Sequence, residues 1–284
     1  MSLGNNINLV LLVTIFLRCS PSLVDDKSIL NYYGLNNSDN RIIHLPKALQ
    51  EVSGLAFKDD KYLLTHNDEK GIVFKMDVRS GEVVSEFSIG EKEIERDFEG
   101  IAVVKDSIFL VTSKGTIFKF STPGKYDNVD YVKINTPLSS KDDVEGLCYD
   151  EKINSLLLAC KSQSSEEDAK YKAVYEFSLT EMNLIEKPRY LISLKELKKK
   201  FDIKDFSPSG IEINPINRNI FLISANPEVI VELNSEGEVL NAKVIDDKNH
   251  KQPEGIAFLK DGTMILADES NGKKAKLTFI HFNK

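Results

Sequence analysis

Asp97-Phe98-Glu99-Gly100-Ile101-Ala102-Val103 returns as Asp143-Val144-Glu145-Gly146-Leu147-Cys148-Tyr149, and again as Gln252-Pro253-Glu254-Gly255-Ile256-Ala257-Phe258. Two further copies carry Ser in place of the Glu: Glu51-Val52-Ser53-Gly54-Leu55-Ala56-Phe57 and Ser207-Pro208-Ser209-Gly210-Ile211-Glu212-Ile213. The glycines at 54, 100, 146, 210 and 255 are spaced by 46, 46, 64 and 45 residues. A period near 45 with one insertion marks a repeat architecture, whose units bury their apolar faces against their neighbours.

Each copy opens the same plan. After a polar turn comes a short apolar run, such as Ile108-Phe109-Leu110-Val111-Thr112 or Ile220-Phe221-Leu222-Ile223-Ser224. Runs of this kind, bounded by Asp, Asn, Gly and Lys, suit strands buried on both faces. A third, alternating strand follows, for example Thr116-Ile117-Phe118-Lys119-Phe120, and four of the copies add a fourth strand. The fifth copy lacks it, while Arg41-Ile42-Ile43-His44-Leu45 stands spare ahead of the first copy. If that spare strand completes the last unit, the sheets form a ring with no long exposed edge. The expected fold is therefore all-β: a five-bladed β-propeller over residues 41–284, its last blade closed by an N-terminal strand. Lys161–Lys170 reads as a long loop, and Leu194–Phe206 as an insertion with a short helix and a solvated Lys run.

The innermost strand of every blade lines the axis of a propeller. Ser53, Glu99, Glu145, Ser209 and Glu254 begin those strands, so their side chains converge at one end. Three carboxylates there repel one another and raise their own pKa values unless a cation sits between them. An all-oxygen set suits Ca2+, which takes six to eight oxygens at about 2.3–2.6 Å. Zinc is disfavoured because no His or Cys joins the ring. The loops after the second strands form a polar collar on the same face, and the turns before the motifs add Arg96, Asp97, Asp142 and Asp143. His66, Asp68 and Asp97 are the candidate proton-transfer groups. There is no Gly-x-Ser-x-Gly elbow, P-loop or Cys/His zinc motif.

The net charge of −7 argues against nucleic acid and anionic lipid as partners. The three cysteines, at 19, 148 and 160, are too few for a disulfide framework. Cys148 takes the place of Ala56, Ala102 and Ala257 and reads as a small buried residue. Leu9–Leu17 is a nine-residue apolar run of signal-peptide length, with Cys19 placed as a lipid-bearing cysteine would be. Residues 1–19 are thus expected to be a signal peptide or lipoprotein signal, and 20–40 a linker. Localisation is then exported: periplasmic, or lipid-anchored to the cell envelope, with membrane contact only through the N-terminal segment.

Glu51-Val52-Ser53-Gly54-Leu55, Asn67-Asp68-Glu69, Asp97-Phe98-Glu99-Gly100-Ile101, Glu145-Gly146-Leu147-Cys148-Tyr149, Pro208-Ser209-Gly210-Ile211 and Gln252-Pro253-Glu254-Gly255-Ile256 together resemble the SdiA-regulated (YjiK-like) family of bacterial proteins. That resemblance spans about residue 40 to the end and implies an exported propeller with a poorly defined molecular function. A more distant likeness is to the calcium-dependent apyrase-type nucleotidases. These are five-bladed propellers whose axial calcium is held by a Ser, Glu, Glu, Ser, Glu series, the order seen in Ser53, Glu99, Glu145, Ser209 and Glu254. That family's other nucleotide-binding residues have no match here. Six-bladed lactonase propellers are similar only loosely.

Two functions follow as expectations. One is a monomeric calcium-binding module whose collar face takes a small ligand or a protein. The other is a Ca2+-dependent hydrolase of phosphate or lactone esters on the same face.

Overall fold

In the computed structural model the apolar runs become the second strand of each blade, and nearly every residue in them is buried. Residues 27–92, 94–122, 128–162, 170–245 and 248–283 are described. Leu9–Leu17 and Cys19 therefore lie outside the described residues. Among the described residues no helix is long and apolar enough to cross a membrane.

In chain order, β1 is Arg41–His44. Blade 1 holds β2 (Val52–Phe57), β3 (Tyr62–Asn67), β4 (Ile72–Asp77) and β5 (Val83–Ile89). Blade 2 holds β6 (Phe98–Val104), β7 (Ser107–Thr112), β8 (Ile117–Ser121) and, after the two-residue β9 (Asn128–Val129), β10 (Tyr131–Ile134). Blade 3 holds β11 (Val144–Asp150), β12 (Ser155–Cys160), β13 (Tyr171–Ser178), the short β14 (Asn183–Leu184) and β15 (Tyr190–Ser193). Helix α1 (Leu194–Phe201) precedes blade 4, which holds β16 (Pro208–Ile213), β17 (Ile220–Ala225), β18 (Glu228–Leu233) and β19 (Val239–Val244). Blade 5 holds β20 (Pro253–Phe258), β21 (Met264–Asp268) and β22 (Lys276–Ile280).

The spare strand does close the ring. β1 pairs antiparallel with β22, from Arg41 opposite Phe279 to His44 opposite Lys276. The last sheet runs β1-β22-β21-β20. The arrangement is a five-bladed β-propeller.

The core is divided into five, one cluster for each pair of neighbouring blades. Phe98, Ile101 and Leu110 pack against Leu64 and Phe87 between blades 1 and 2, for example. Cys148 packs between blades 3 and 4, as a small buried residue should, and both Cys148 and Cys160 are free thiols. Helix α1 is capped by Ser193, whose Oγ accepts the Glu196 amide at 3.3 Å, and its Lys198–Lys200 run is exposed.

The reading of 20–40 as a linker needs correction over its described part. Leu30, Tyr33 and Leu35 are buried in the cluster between blades 4 and 5. Their backbone is anchored by a buried carboxylate of β18. Ser28 Oγ (2.5 Å), the amides of Ile29 (2.9 Å) and Leu30 (3.0 Å), and Asn219 Nδ2 (2.7 Å) all donate to Glu232. Tyr33 bridges two loops, donating to Gly262 O (2.8 Å) and accepting from Asn214 Nδ2 (2.7 Å).

Candidate functional site

The motif does something in the backbone that its residue types do not announce. In every blade the pairing of first and second strand shifts register at the motif's third residue. Phe98 faces Thr112 and Gly100 faces Val111, so Glu99 has no cross-strand partner. Glu145, Ser209 and Glu254 are skipped in the same way, and in blade 1 Ser53 and Gly54 together oppose only His66. A bulge frees one residue from the ladder, increases local twist and re-aims its side chain. Five bulges at one position turn the five ring residues out of their sheets.

The glycine after each bulge lets the strands meet. A Cβ on Gly100 would lie 2.7 Å from the Leu147 amide nitrogen, and one on Gly255 would lie 2.7 Å from Ser53 O. Blade 5 thereby touches blade 1 at the axis. The glutamates and glycines enclose an axial cavity of about 10 Å³, room for about one water-sized sphere.

Around the axis the loops are stitched by backbone hydrogen bonds. The Phe98 amide donates to Asp68 O at 2.7 Å, Ser113 to Asp97 O at 3.0 Å, and Val144 to Ser113 O at 2.8 Å. Lys161 donates to Asp143 O at 2.8 Å, and Ser270 to Gln50 O at 2.9 Å. Each loop is thus tied to its own blade or to the next, which fixes the bulges.

Ser53 (4 % exposed), Glu145 (7 %) and Ser209 (2 %) are buried, and Glu99 and Glu254 are partly so. Ser53 Oγ donates to Glu99 at 3.3 Å, and Lys161 Nζ donates to Glu145 at 3.1 Å. Ser209 Oγ instead donates to Pro253 O at 2.6 Å. Burial raises the Glu99 carboxyl strongly, reinforced by Glu145, Asp97 and Glu254. Burial also raises Glu145, opposed by Lys161, and pushes Glu254 up to about 8 with help from Glu145. The three glutamates therefore feel one another as like charges. Even so, among the described residues no three His, Cys, Asp or Glu side chains stand at joint metal-binding distance. Their present partners are Lys161 on Glu145, Ser53 and Asp97 beside Glu99, and Gln252 beside Glu254. The set is all oxygen and charge-rich, the donor chemistry that suits a hard cation, and its three glutamates border the axial void while Ser53 and Ser209 do not line it.

The proton-transfer candidates fare unequally. His66 is fully buried; its Nε2 accepts from the Gly54 amide at 3.2 Å and its Nδ1 lies 2.9 Å from Asn67 O. A neutral, Nδ1-protonated ring makes both bonds at once, and burial lowers its pKa to about 4. Neither nitrogen is free for acid–base work, so His66 is a structural support of the first bulge. Its register partners in the other blades are Val111, Ala159, Ile223 and Ala267, all apolar. Asp68 and Asp97 do meet, lining a groove of about 370 Å³ with Glu69, Lys70, Glu95 and Arg96. Burial and then Glu51 push Asp68 up to about 6, and its Oδ1 has no hydrogen-bond partner among the described residues. Asp142 is a turn residue, accepting from Ser139 N and Oγ at 2.8 and 3.0 Å.

One pair carries no motif of its own. His250 and Asp268 are buried at the ring end of blade 5, with Nδ1 and Oδ2 2.7 Å apart. Among the described residues His250 Nε2 and Asp268 Oδ1 have no hydrogen-bond partner. The only sequence signal is that His250 lies four residues before Glu254, where the other copies have Leu49, Glu95, Lys141 and Asp205.

Residues 182–283 match the family model described as SdiA-regulated. No curated protein matches the sequence. Among solved structures, the chain is similar to Myxococcus xanthus glutaminyl cyclase, with TM-score 0.56, 14% identity, and coverage of 86% of this chain and 96% of that one. It is also similar to a luciferin-regenerating enzyme, with TM-score 0.54, 8% identity, and coverage of 85% and 95%. Against Kuenenia stuttgartiensis hydrazine synthase the TM-score is 0.47 at 13% identity, covering 81% of this chain and 59% of the other. For the glutaminyl cyclase and the luciferin-regenerating enzyme the likeness, at these identities, shows the fold alone, a propeller.

Proposed function

We propose that this chain is an exported, calcium-binding propeller module that holds Ca2+ on its axis and takes a small ligand or protein partner on the collar face. The observation that carries the reading is the set of five bulges at one motif position, with Glu99, Glu145 and Glu254 bordering one narrow axial void. A fold needs no buried like charges to close a ring, whereas a divalent cation would neutralise them. When bound, the ion would supply a fixed positive centre at the floor of the collar. Lys161 would leave Glu145 to make way for it; its side chain is 45% exposed and can turn to solvent. The closed ring leaves monomer as the working state. The Leu9–Leu17 run supports export, which cell fractionation of wild type beside a Cys19→Ser variant tests.

Thermal unfolding with EDTA, then with Ca2+ or Mg2+, tests the metal. A ligand that binds only the folded state stabilises it by about 2.7 kcal/mol at a hundredfold excess over its dissociation constant. We expect a Ca2+-selective rise in Tm that Glu99→Gln/Glu145→Gln/Glu254→Gln abolishes. An unmoved wild-type Tm would sink the proposal.

A second reading, calcium-dependent hydrolysis, is favoured by Asp68 alone, which has an oxygen without a partner among the described residues and a carboxyl that burial pushes up to about 6 in the collar groove. Under it, Asp68→Asn abolishes Ca2+-dependent turnover in a phosphate- and lactone-ester screen while the Ca2+-induced rise in Tm persists.

A further inference from the structure

At the end of the blades opposite the ring, the seam between blades 1 and 5 opens into a cleft of about 890 Å³. Its floor is apolar: Phe258 and Phe279 are buried, and Phe57 at the end of β2 is half-buried beside them. Its walls carry cations from both sides of the seam, namely Arg41, Lys58, Lys61, Arg79 and Lys260. Three carboxylates share those walls, and each is already engaged. Asp59 Oδ1 accepts the amides of Lys61 and Tyr62, both at 2.9 Å. Asp261 Oδ1 accepts the Thr263 amide at 2.8 Å. Asp60 reaches Lys260 at 2.7 Å in a bridge whose side chains are 70% and 83% exposed, so water competes for it.

The arginines are different. The Arg41 guanidinium lies 4.6 Å from the centre of the Phe279 ring, and its Nη2 donates to the carbonyls of Arg79 and Val78. Among the described residues neither Arg41 nor Arg79 makes an ion pair with a carboxylate. Lys58 and Lys61 pair with Asp106 and Asp77 at 3.6 and 3.7 Å, so the positive charge the cleft offers over its aromatic floor lies on Arg41 and Arg79. Clefts of about 300–1,000 Å³ with an apolar lining and a few convergent polar groups are the usual shape of small-molecule sites. Guanidinium groups match carboxylate, sulfate and phosphate through paired N–H donors.

We infer that the seam cleft binds a small organic anion with a flat apolar body, its ring on Phe57, Phe258 and Phe279 and its acidic group on Arg41 and Arg79. This site is separate from the axial ring and does not depend on it.

Isothermal titration of the full chain tests the inference with three probes: naphthalene-2-carboxylate, its neutral counterpart naphthalene-2-methanol, and inorganic phosphate. We expect one carboxylate per chain, bound at least about tenfold more tightly than the alcohol, and no measurable binding of phosphate. Arg79→Ala and Arg41→Ala should each weaken the carboxylate by about tenfold, and the Glu99→Gln/Glu145→Gln/Glu254→Gln variant should leave it unchanged. Arg41 sits on the closing strand, so circular dichroism and Tm accompany its variant; Arg79, in a turn, decides between the outcomes if Arg41→Ala fails to fold. No binding of the carboxylate, equal binding of carboxylate and alcohol, or indifference to Arg79→Ala each overturns the inference.

Discussion

Glu232 and Glu99 are both withdrawn from water, and their surroundings are opposite. Glu232 receives hydrogen bonds from Ser28, Ile29, Leu30 and Asn219. Glu99 receives one weak donor, Ser53, and otherwise faces Glu145, Asp97 and Glu254. The first is what a structural carboxylate looks like in this fold: its donors are supplied by the chain itself. The second is what remains when the chain supplies the negative charge and leaves the positive charge to come from elsewhere. The ring is therefore poorly explained as a packing device.

Removing each set should separate the two roles. Glu232→Ala leaves several buried donors without an acceptor and should destabilise the fold by about 3 kcal/mol, read by urea unfolding. A loss under about 1 kcal/mol would mean that residues 28–35 are not anchored there. The ring should behave in reverse in metal-free buffer. Its carboxyl pKa values are raised in the folded state, so the ring's contribution to stability is fully present below the unfolded value and lost as pH rises through the folded one. For Glu254 that window runs from 4.5 to about 8. Glu99→Gln/Glu145→Gln/Glu254→Gln should flatten that decline and exceed the wild type at pH 8 by on the order of 2 kcal/mol. If the variant is instead less stable at every pH, the glutamates are structural after all and the contrast collapses.

Lys161 sharpens the comparison, because it is the one side-chain cation that the described residues offer the ring directly. Lys161→Met should tighten Ca2+ about tenfold in a competition titration with a chelating dye. Unchanged affinity would place the ion away from Glu145. The smallest effect concerns Asp68, half-buried and raised to about 6. Asp68→Asn should change stability by less than about 0.5 kcal/mol at pH 5 and add about 1 kcal/mol at pH 8, the sign again following from a raised carboxyl pKa.

The recurrence of Glu-Gly and Ser-Gly was enough to count the blades, because a repeated motif reports a repeated environment. The missing last strand and the spare Arg41–Leu45 run were equally legible, since each is a surplus or deficit against the same template. The bulges were not: a one-residue slip in pairing leaves the order of residue types untouched. His66 stands among the candidates in the sequence because a histidine beside Asn67 and Asp68 fits either role, and only its register opposite Gly54, in a slot filled elsewhere by Val111 or Ile223, shows it as buried. The anchoring of residues 28–35 and the His250–Asp268 pair depend on contacts across blades or between loops, which local periodicity does not register.

The pairing of β1 with β22 also has a kinetic side. Arg41 and Phe279 meet only after every blade between them has been made, and loop-closure entropy grows with the logarithm of the intervening length. The four main strands of each of blades 1 to 4 are consecutive in the chain and can pair during synthesis, with β9 added later to the outer edge of blade 1, while blade 5 waits for a strand that was synthesised first. Until it arrives, an unpaired edge on β22 is open to a neighbouring chain. A circular permutant in which residues 27–51 follow residue 283 would make all five blades local in sequence. It should refold faster than the natural order and aggregate less while doing so.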